Sequence, residues 1–310
     1  MNSIEAAKRQ GVIAVLVAGC SWGSTGVFVR IFDGFGYGPM TIVFVRMSLA
    51  FVIMFVSLHV LGRRELFKIR FKDLWCFIGT GVSSAFLLNY FFSMAIVMNS
   101  LALAAILLAT APVFVVLLSA PIFGERITSV KVQALVIAFV GCVLTSGLVE
   151  SGSAFSPLGV LVGLLGGFGY AMYSIMTRFS LNRGYAPLTV NVYSFGIGAL
   201  FAAPFTSFAL IASTISLSPG SMTAFLIIHT LFTSLLPYML YTYGMKHMDT
   251  GKASILVSIE PIAASLFGIF LYNEIPTFIC VIGIVLVLFA IALLNVPGGL
   301  KGLISKKKTD

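Results

Sequence analysis

"GCSWGSTGVFVR", residues Gly19 to Arg30, returns as "GFGYAMYSIMTR", Gly167 to Arg178, with a glycine at its head and an arginine at its end. The same register continues beyond the two segments. Pro39 and Thr41 fall on Pro187 and Thr189, Ala104 on Ala253, Pro112 on Pro261, Glu125 on Glu274 and Thr128 on Thr277, at an offset of 148 or 149 residues. Sparse matches held in one register along half a chain indicate an internal duplication. The first unit is read as residues 1–149 and the second as 150–310, ending in a basic tail.

Composition says what kind of unit is duplicated. The 310 residues are 59% hydrophobic and 9% charged, with a mean hydropathy of +1.07. Soluble domains carry about 25% charged residues, so a soluble fold is excluded. Apolar stretches long enough to cross about 30 Å of hydrocarbon recur throughout. Ten are read, at 11–32, 38–61, 74–95, 99–122, 130–149, 157–179, 187–211, 222–244, 250–272 and 277–296. The expected fold is an all-α integral membrane protein of ten transmembrane helices. An odd number of crossings reverses direction, so two five-helix units in sequence are inverted repeats.

Charge distribution gives the same orientation independently. With the N-terminus inside, the inner connections hold 17 of the 19 Lys and Arg residues, from Lys8 and Arg9 to Lys301, Lys306, Lys307 and Lys308. The outer connections hold Arg30 beside Asp33, Glu150 and Glu274. This is the positive-inside pattern, which places both termini in the cytoplasm. The net charge of +9 is thus a topology signal, and "SKKKTD" needs no nucleic-acid partner.

Several chemistries are set aside. The four cysteines, Cys20, Cys76, Cys142 and Cys280, stand singly without metal-ligand spacing, so they read as small core residues. "VAGC", Val17 to Cys20, resembles a lipoprotein processing site, but the apolar run continues past the cysteine through Trp22 and Val27. No nucleotide-binding loop occurs, and no cofactor or metal is expected.

The candidate site is built from what an apolar span can hold only at a cost. Arg46, His229 and Glu260 fall near the middle of spans. An Arg or Asp at a helix centre costs about 2.5–3.5 kcal/mol, so such residues face the bundle interior and find partners. Arg46 and Glu260 either pair structurally or contact a substrate or proton, and His229 is either a packing residue or an alternative proton carrier. Pro261, directly after Glu260, and its counterpart Pro112 should break the ninth and fourth helices and free carbonyls there. Trp22 aligns with Tyr170, and Tyr173 shares the face of Tyr170. Tyr238 and Tyr241 on the eighth span answer to Asn89 and Tyr90 on the third. Together these offer an amphipathic aromatic lining. Tyr243 and Tyr272, near span ends, read as interface residues. Two small-residue stripes, Gly19 with Gly23 and Gly159, Gly163, Gly167 with Ala171, prepare close helix packing at the seam between halves.

The two-fold five-span plan resembles the EamA family of the drug/metabolite transporter superfamily. Its marks are "EP" at Glu260 opposite "AP" at Ala111, the closing Gly124-Glu125 and Asn273-Glu274, "WGS" at Trp22 to Ser24, and "VFVR" ending at Arg46. The resemblance implies a cytoplasmic-membrane carrier, usually an exporter of small metabolites such as amino acids, with spans five and ten peripheral and the others around a central cavity. Ala111 stands where the second half has Glu260, so the halves are not equivalent. The expected function is secondary transport of a zwitterionic solute by alternating access, Arg46 and Glu260 holding opposite ends and protons available for coupling. Two competitors remain: a lipid flippase on the same scaffold, and an intramembrane serine protease using Ser24 in "GSTG" with His229 as base.

Overall fold

A helix satisfies all its own backbone hydrogen bonds, which is why an apolar chain can cross hydrocarbon in that form. Every long apolar stretch is helical in the computed structural model, which describes residues 3–99, 101–148, 156–273 and 275–295. The helices are α1 (Glu5–Gly34), α2 (Pro39–Val60), α3 (Phe71–Met98), α4 (Leu103–Phe123), α5 (Ser129–Thr145), α6 (Pro157–Asn182), α7 (Pro187–Phe205), α8 (Pro219–His247), α9 (Thr250–Tyr272) and α10 (Phe278–Asn295). A short helix, Phe208–Leu217, leads into α8. Among the described residues nine helices are long and apolar enough to span a membrane. The tenth, α5, has 17 residues, or about 25 Å of rise. Glu150, Glu274 and the lysines of the tail lie outside the described residues.

Local chemistry sets the ends. Pro39, Pro157, Pro187 and Pro219 open their helices, where the missing N–H leaves no intrahelical bond unmade. Thr128 Oγ1 accepts from the Lys131 amide and Thr277 Oγ1 from the Cys280 amide, each at 3.2 Å. Gly124 (φ 69°) closes α4 and Asn273 (φ 54°) closes α9, both left-handed, a conformation Gly and Asn tolerate best.

The duplication extends to the irregularities. A π-helical turn interrupts α3 at Ser83–Leu87 and α8 at Leu231–Leu235, 148 residues apart in each case. In α4 the helix pauses after Leu108 and restarts at Ala111. In α9 it pauses after Leu256, passes through a 3₁₀ turn at Val257–Ile259 and restarts at Glu260. Both expected breaks are present, with Pro112 and Pro261 in the first turn of the restarted segment.

Packing is likewise unchanged when the halves are exchanged. Helix α1 packs on α8 and α9, as α6 packs on α3 and α4; α2 packs on α7, and α5 on α10. The glycine stripes make the first two sets of contacts close. A β-carbon at Gly19 would lie 2.4 Å from Ile259 Cγ2, and one at Gly23 would lie 2.8 Å from the Glu260 carbonyl oxygen. On the other side, a β-carbon at Gly167 would meet the Leu107 carbonyl at 2.8 Å and one at Gly163 would meet Leu107 Cδ1 at 2.4 Å. Each stripe therefore presses on the broken helix of the opposite half. The α5–α10 pair has its own crossing, where Gly141 and Gly283 each approach the other's carbonyl.

Candidate functional site

The site is assembled around Trp22. Because Gly19 and Gly23 let α1 approach α9 closely, the indole between them is carried into the bundle. It meets Tyr170, Tyr238 and Tyr241 at centroid distances of 6.2, 5.3 and 5.5 Å. Tyr173 completes the group, 5.2 Å from Tyr238 and 6.1 Å from Tyr241. Edge-on aromatic pairs contribute about 0.5–1.5 kcal/mol each beyond burial, so this is a firm wall. Tyr241 shares a hydrogen bond with Ser174 at 2.9 Å. The Tyr170 hydroxyl is buried with no hydrogen-bond partner among the described residues.

The π-helical turns place polar groups beside this wall. Asn89 follows the turn in α3; its Nδ2 donates to the Ser84 carbonyl at 2.6 Å, while its Oδ1 accepts from Arg46 Nη2 at 2.9 Å. Asn89 thus positions the guanidinium of Arg46, which is 7% exposed and whose Nε has no hydrogen-bond partner among the described residues. In α8, Pro237 has no N–H to close the equivalent turn. The Phe232 carbonyl accepts instead from Ser21 Oγ at 2.7 Å, tying α1 to α8 beside Trp22. Tyr90 lies further along α3, stacked on Phe86 at 5.0 Å.

Glu260 heads the restarted half of α9, partly exposed, and no described residue hydrogen-bonds its carboxylate. It lies within electrostatic reach of Arg46, Tyr170 and Tyr238, but the ion pair with Arg46 that the sequence permitted is not made. Arg46 is held by Asn89 instead. A carboxylate and a guanidinium, each with capacity unused, make no ion pair with each other, although Tyr238 lies within electrostatic reach of both. Such a pair can receive an ammonium group at the acid and a carboxylate at the guanidinium.

His229 lies within electrostatic reach of Arg46 but packs among phenylalanines. It is fully buried, with Phe32, Phe28 and Phe225 at centroid distances of 4.8, 5.2 and 6.5 Å, and neither ring nitrogen has a hydrogen-bond partner among the described residues. It belongs to a core separate from that of Trp22. Ser24 donates to the Ser21 carbonyl at 2.7 Å, so the Ser24–His229 pairing required of a serine protease is absent among the described residues. Of the interface tyrosines, Tyr272 lies under Arg30 at 4.3 Å and Tyr243 meets Gln10 at 3.3 Å.

The end of the bundle carrying most described basic residues is tied across the halves. Glu125 accepts from the Thr250 and Gly251 amides at 2.7 and 3.1 Å, capping the start of α9. Lys131 pairs with Asp249 at 2.8 Å. Arg178 donates to Thr250 Oγ1 at 2.7 Å and to the Met248 carbonyl. In the sequence Glu125 and Arg178 stand out as repeat landmarks, Glu125 also within the Gly124-Glu125 mark of the family resemblance. The signal available was a carboxylate just beyond a helix paired with a helix start in the other half, but which start it would reach is a tertiary fact. Ser21, Ser174 and Pro237 carry no distinctive spacing in the sequence.

Comparison with known proteins agrees with this architecture. A solved crystal structure superposes with a TM-score of 0.75 over 99% of each chain at 17% identity, a likeness of fold. Named relatives are an "Uncharacterized transporter" of Archaeoglobus fulgidus, 27% identical over 89% of this chain and 92% of its own, and "Uncharacterized transporter YyaM" of Bacillus subtilis, 26% identical over 79% and 81%. A "Probable terminal-alkyne amino-acid exporter" of Streptantibioticus cattleyicolor is 23% identical over 92% and 93%. The EamA-like transporter family matches residues 9–147 and again 157–296, the two units that share breaks, turns and caps, and the chain therefore belongs to that family.

Proposed function

We propose that this transporter is a secondary carrier of small zwitterionic solutes, amino acids or close relatives, working as an exporter by alternating access. The observation that carries the reading is the separation of Glu260 from Arg46. The acid has no hydrogen-bond partner among the described residues, and the buried guanidinium keeps Nε unused, with Tyr238 within electrostatic reach of both. Holding such groups unpaired within membrane spans is costly, and a ligand bearing an ammonium and a carboxylate relieves both costs. The amino-acid exporter among the relatives favours the same substrate class and direction.

Two inverted five-helix units, 1–149 and 150–310, supply the motion, since related halves can exchange conformations about a site between them. The basic end is taken as cytoplasmic, with both termini there and the chain in the cytoplasmic membrane. For the site to open on that side, Glu125 must leave the start of α9 and Lys131 must release Asp249. That start belongs to the helix whose break carries Glu260, so opening and ligand binding act on one element. Glu260 also serves as proton carrier when no ammonium group occupies it.

The test is Glu260→Gln in liposomes, with amino acids screened as substrates against the unaltered protein. The variant should remain folded and lose uptake or its dependence on a proton gradient. Undiminished transport with an unchanged pH profile would sink the assignment.

A further inference from the structure

Away from the aromatic site, a recess of about 430 Å³ opens at the basic end, where the α2–α3 connection meets the start of α7. Its frame is firmly held. Thr189 Oγ1 donates to the Leu66 carbonyl at 2.8 Å, Tyr193 donates to the Phe67 carbonyl at 2.7 Å, and the Arg70 amide donates to the Tyr185 hydroxyl at 3.0 Å. Tyr185 in turn donates to Asp73 at 2.8 Å.

The lining is unevenly charged. Glu65 is paired with Arg63 at 2.7 Å, and Arg183 with Asp73 at 3.0 Å. Lys68 and Arg70 also line the recess, and neither side chain is in an ion pair with a described carboxylate. Helix α7 begins at the wall, with its N-cap Ala186 among the lining residues, and its dipole adds positive potential there. The neighbouring surface mixes exposed basic residues, Arg63, Arg64 and Lys72, with exposed apolar ones: Phe71, Val60 and Leu61 are 89%, 81% and 70% exposed, and Trp75, over which Arg183 lies at 4.9 Å, is 43% exposed. A positive recess bordered by exposed aliphatic and aromatic side chains is shaped for an anion attached to an acyl chain.

We propose that this recess binds the phosphate group of an anionic membrane phospholipid, with Lys68 and Arg70 holding the phosphate and Phe71 and Leu61 against the lipid's apolar portion. A free phosphate ion shares the first contact but not the second, so the two sources are separable.

The experiment is native mass spectrometry of the full chain released from micelles, titrated with phosphatidylglycerol, phosphatidylcholine or inorganic phosphate. Phosphatidylglycerol should be retained in preference to phosphatidylcholine, and inorganic phosphate should not displace it. Removing Lys68 and Arg70 together (Lys68→Ala with Arg70→Ala) should reduce that preference by about fivefold per charge, with the melting temperature unchanged, because the Arg70 amide contact to Tyr185 survives in alanine. Lys246→Ala, equally basic but outside the recess, should keep the preference. Equal retention of both lipids, displacement by inorganic phosphate, or equal losses in the double variant and Lys246→Ala would each overturn the proposal.

Discussion

Alanine at Gly23 and alanine at Gly26 should have opposite consequences, although the two glycines are a single turn apart on α1. A β-carbon at Gly23 would stand 2.6 Å from Ala263 Cβ, 2.8 Å from the Glu260 carbonyl oxygen and 2.9 Å from the Ala264 amide, whereas one at Gly26 meets nothing within 4 Å. Two of the Gly23 neighbours are backbone atoms, so no side-chain rotamer relieves the clash. Either α1 or the restarted half of α9 must shift by roughly half an ångström or more, and overpacking of this kind costs about 1–3 kcal/mol. Alanine's intrinsic helix advantage of about 1 kcal/mol acts at both positions, so it cancels when the variants are compared. Thermal unfolding of the purified proteins, followed by tryptophan fluorescence, should rank Gly26→Ala at or above the parent and Gly23→Ala about 1–3 kcal/mol below Gly26→Ala. Because the displaced backbone carries Glu260, Gly23→Ala should also lose transport in protein that remains folded. Equal stability and equal transport for the two variants would refute the close approach of α1 to α9.

Two further outcomes follow from the polar contacts. Asn89→Leu leaves both the Ser84 carbonyl and Arg46 Nη2 without their partner at 2.6 and 2.9 Å; each lost buried bond costs about 1–3 kcal/mol, so a clear drop in melting temperature is expected, and an unchanged one would show that Asn89 does not hold Arg46. Glu125→Ala uncaps the Thr250 and Gly251 amides and should open the basic end more often, read as faster maleimide labelling of the buried position Ser119→Cys; no acceleration would mean that Glu125 does not close that end.

The backbone plan was legible because its causes are local. Apolar length gives the spans, Pro112 and Pro261 give the breaks, and the register from Gly19 to Thr128 gives the duplication. The π-helical turns were not legible. Nothing in "SSAFL" or "LFTSL" differs from ordinary helix former in an apolar context, and the turns become meaningful only through Asn89 and Ser21, which take up the carbonyls of Ser84 and Phe232. The candidate site divides in the same way. Trp22, Tyr170, Tyr173, Tyr238 and Tyr241 are brought together because repeat symmetry places them on facing helices. His229, selected only for being ionisable and apolar-flanked, is placed among phenylalanines. An ionisable residue in a span announces a cost, but the sequence does not say which neighbour offsets it.

That cost also explains why only one of the two broken helices carries a charge. The break in α4 and the break in α9 occupy the same position in the repeat to within a residue, and each is pressed by a glycine stripe from the other half. If the breaks served only as hinges, an alanine would suffice at both, as Ala111 does in α4. A carboxylate in α9 therefore adds something the hinge does not require, at a price in insertion energy that packing against Gly23 does not reduce. Its side chain remains partly accessible and without a hydrogen bond among the described residues, which is a poor arrangement for stability and a suitable one for a group that must accept and release a cation. Under the proposed function, the symmetric backbone lets the halves exchange conformations while the single asymmetric acid receives the ammonium group of the substrate; moving that acid by Ala111→Glu with Glu260→Ala should preserve folding and abolish transport, and retained transport would mean that the breaks, not the charge, determine function.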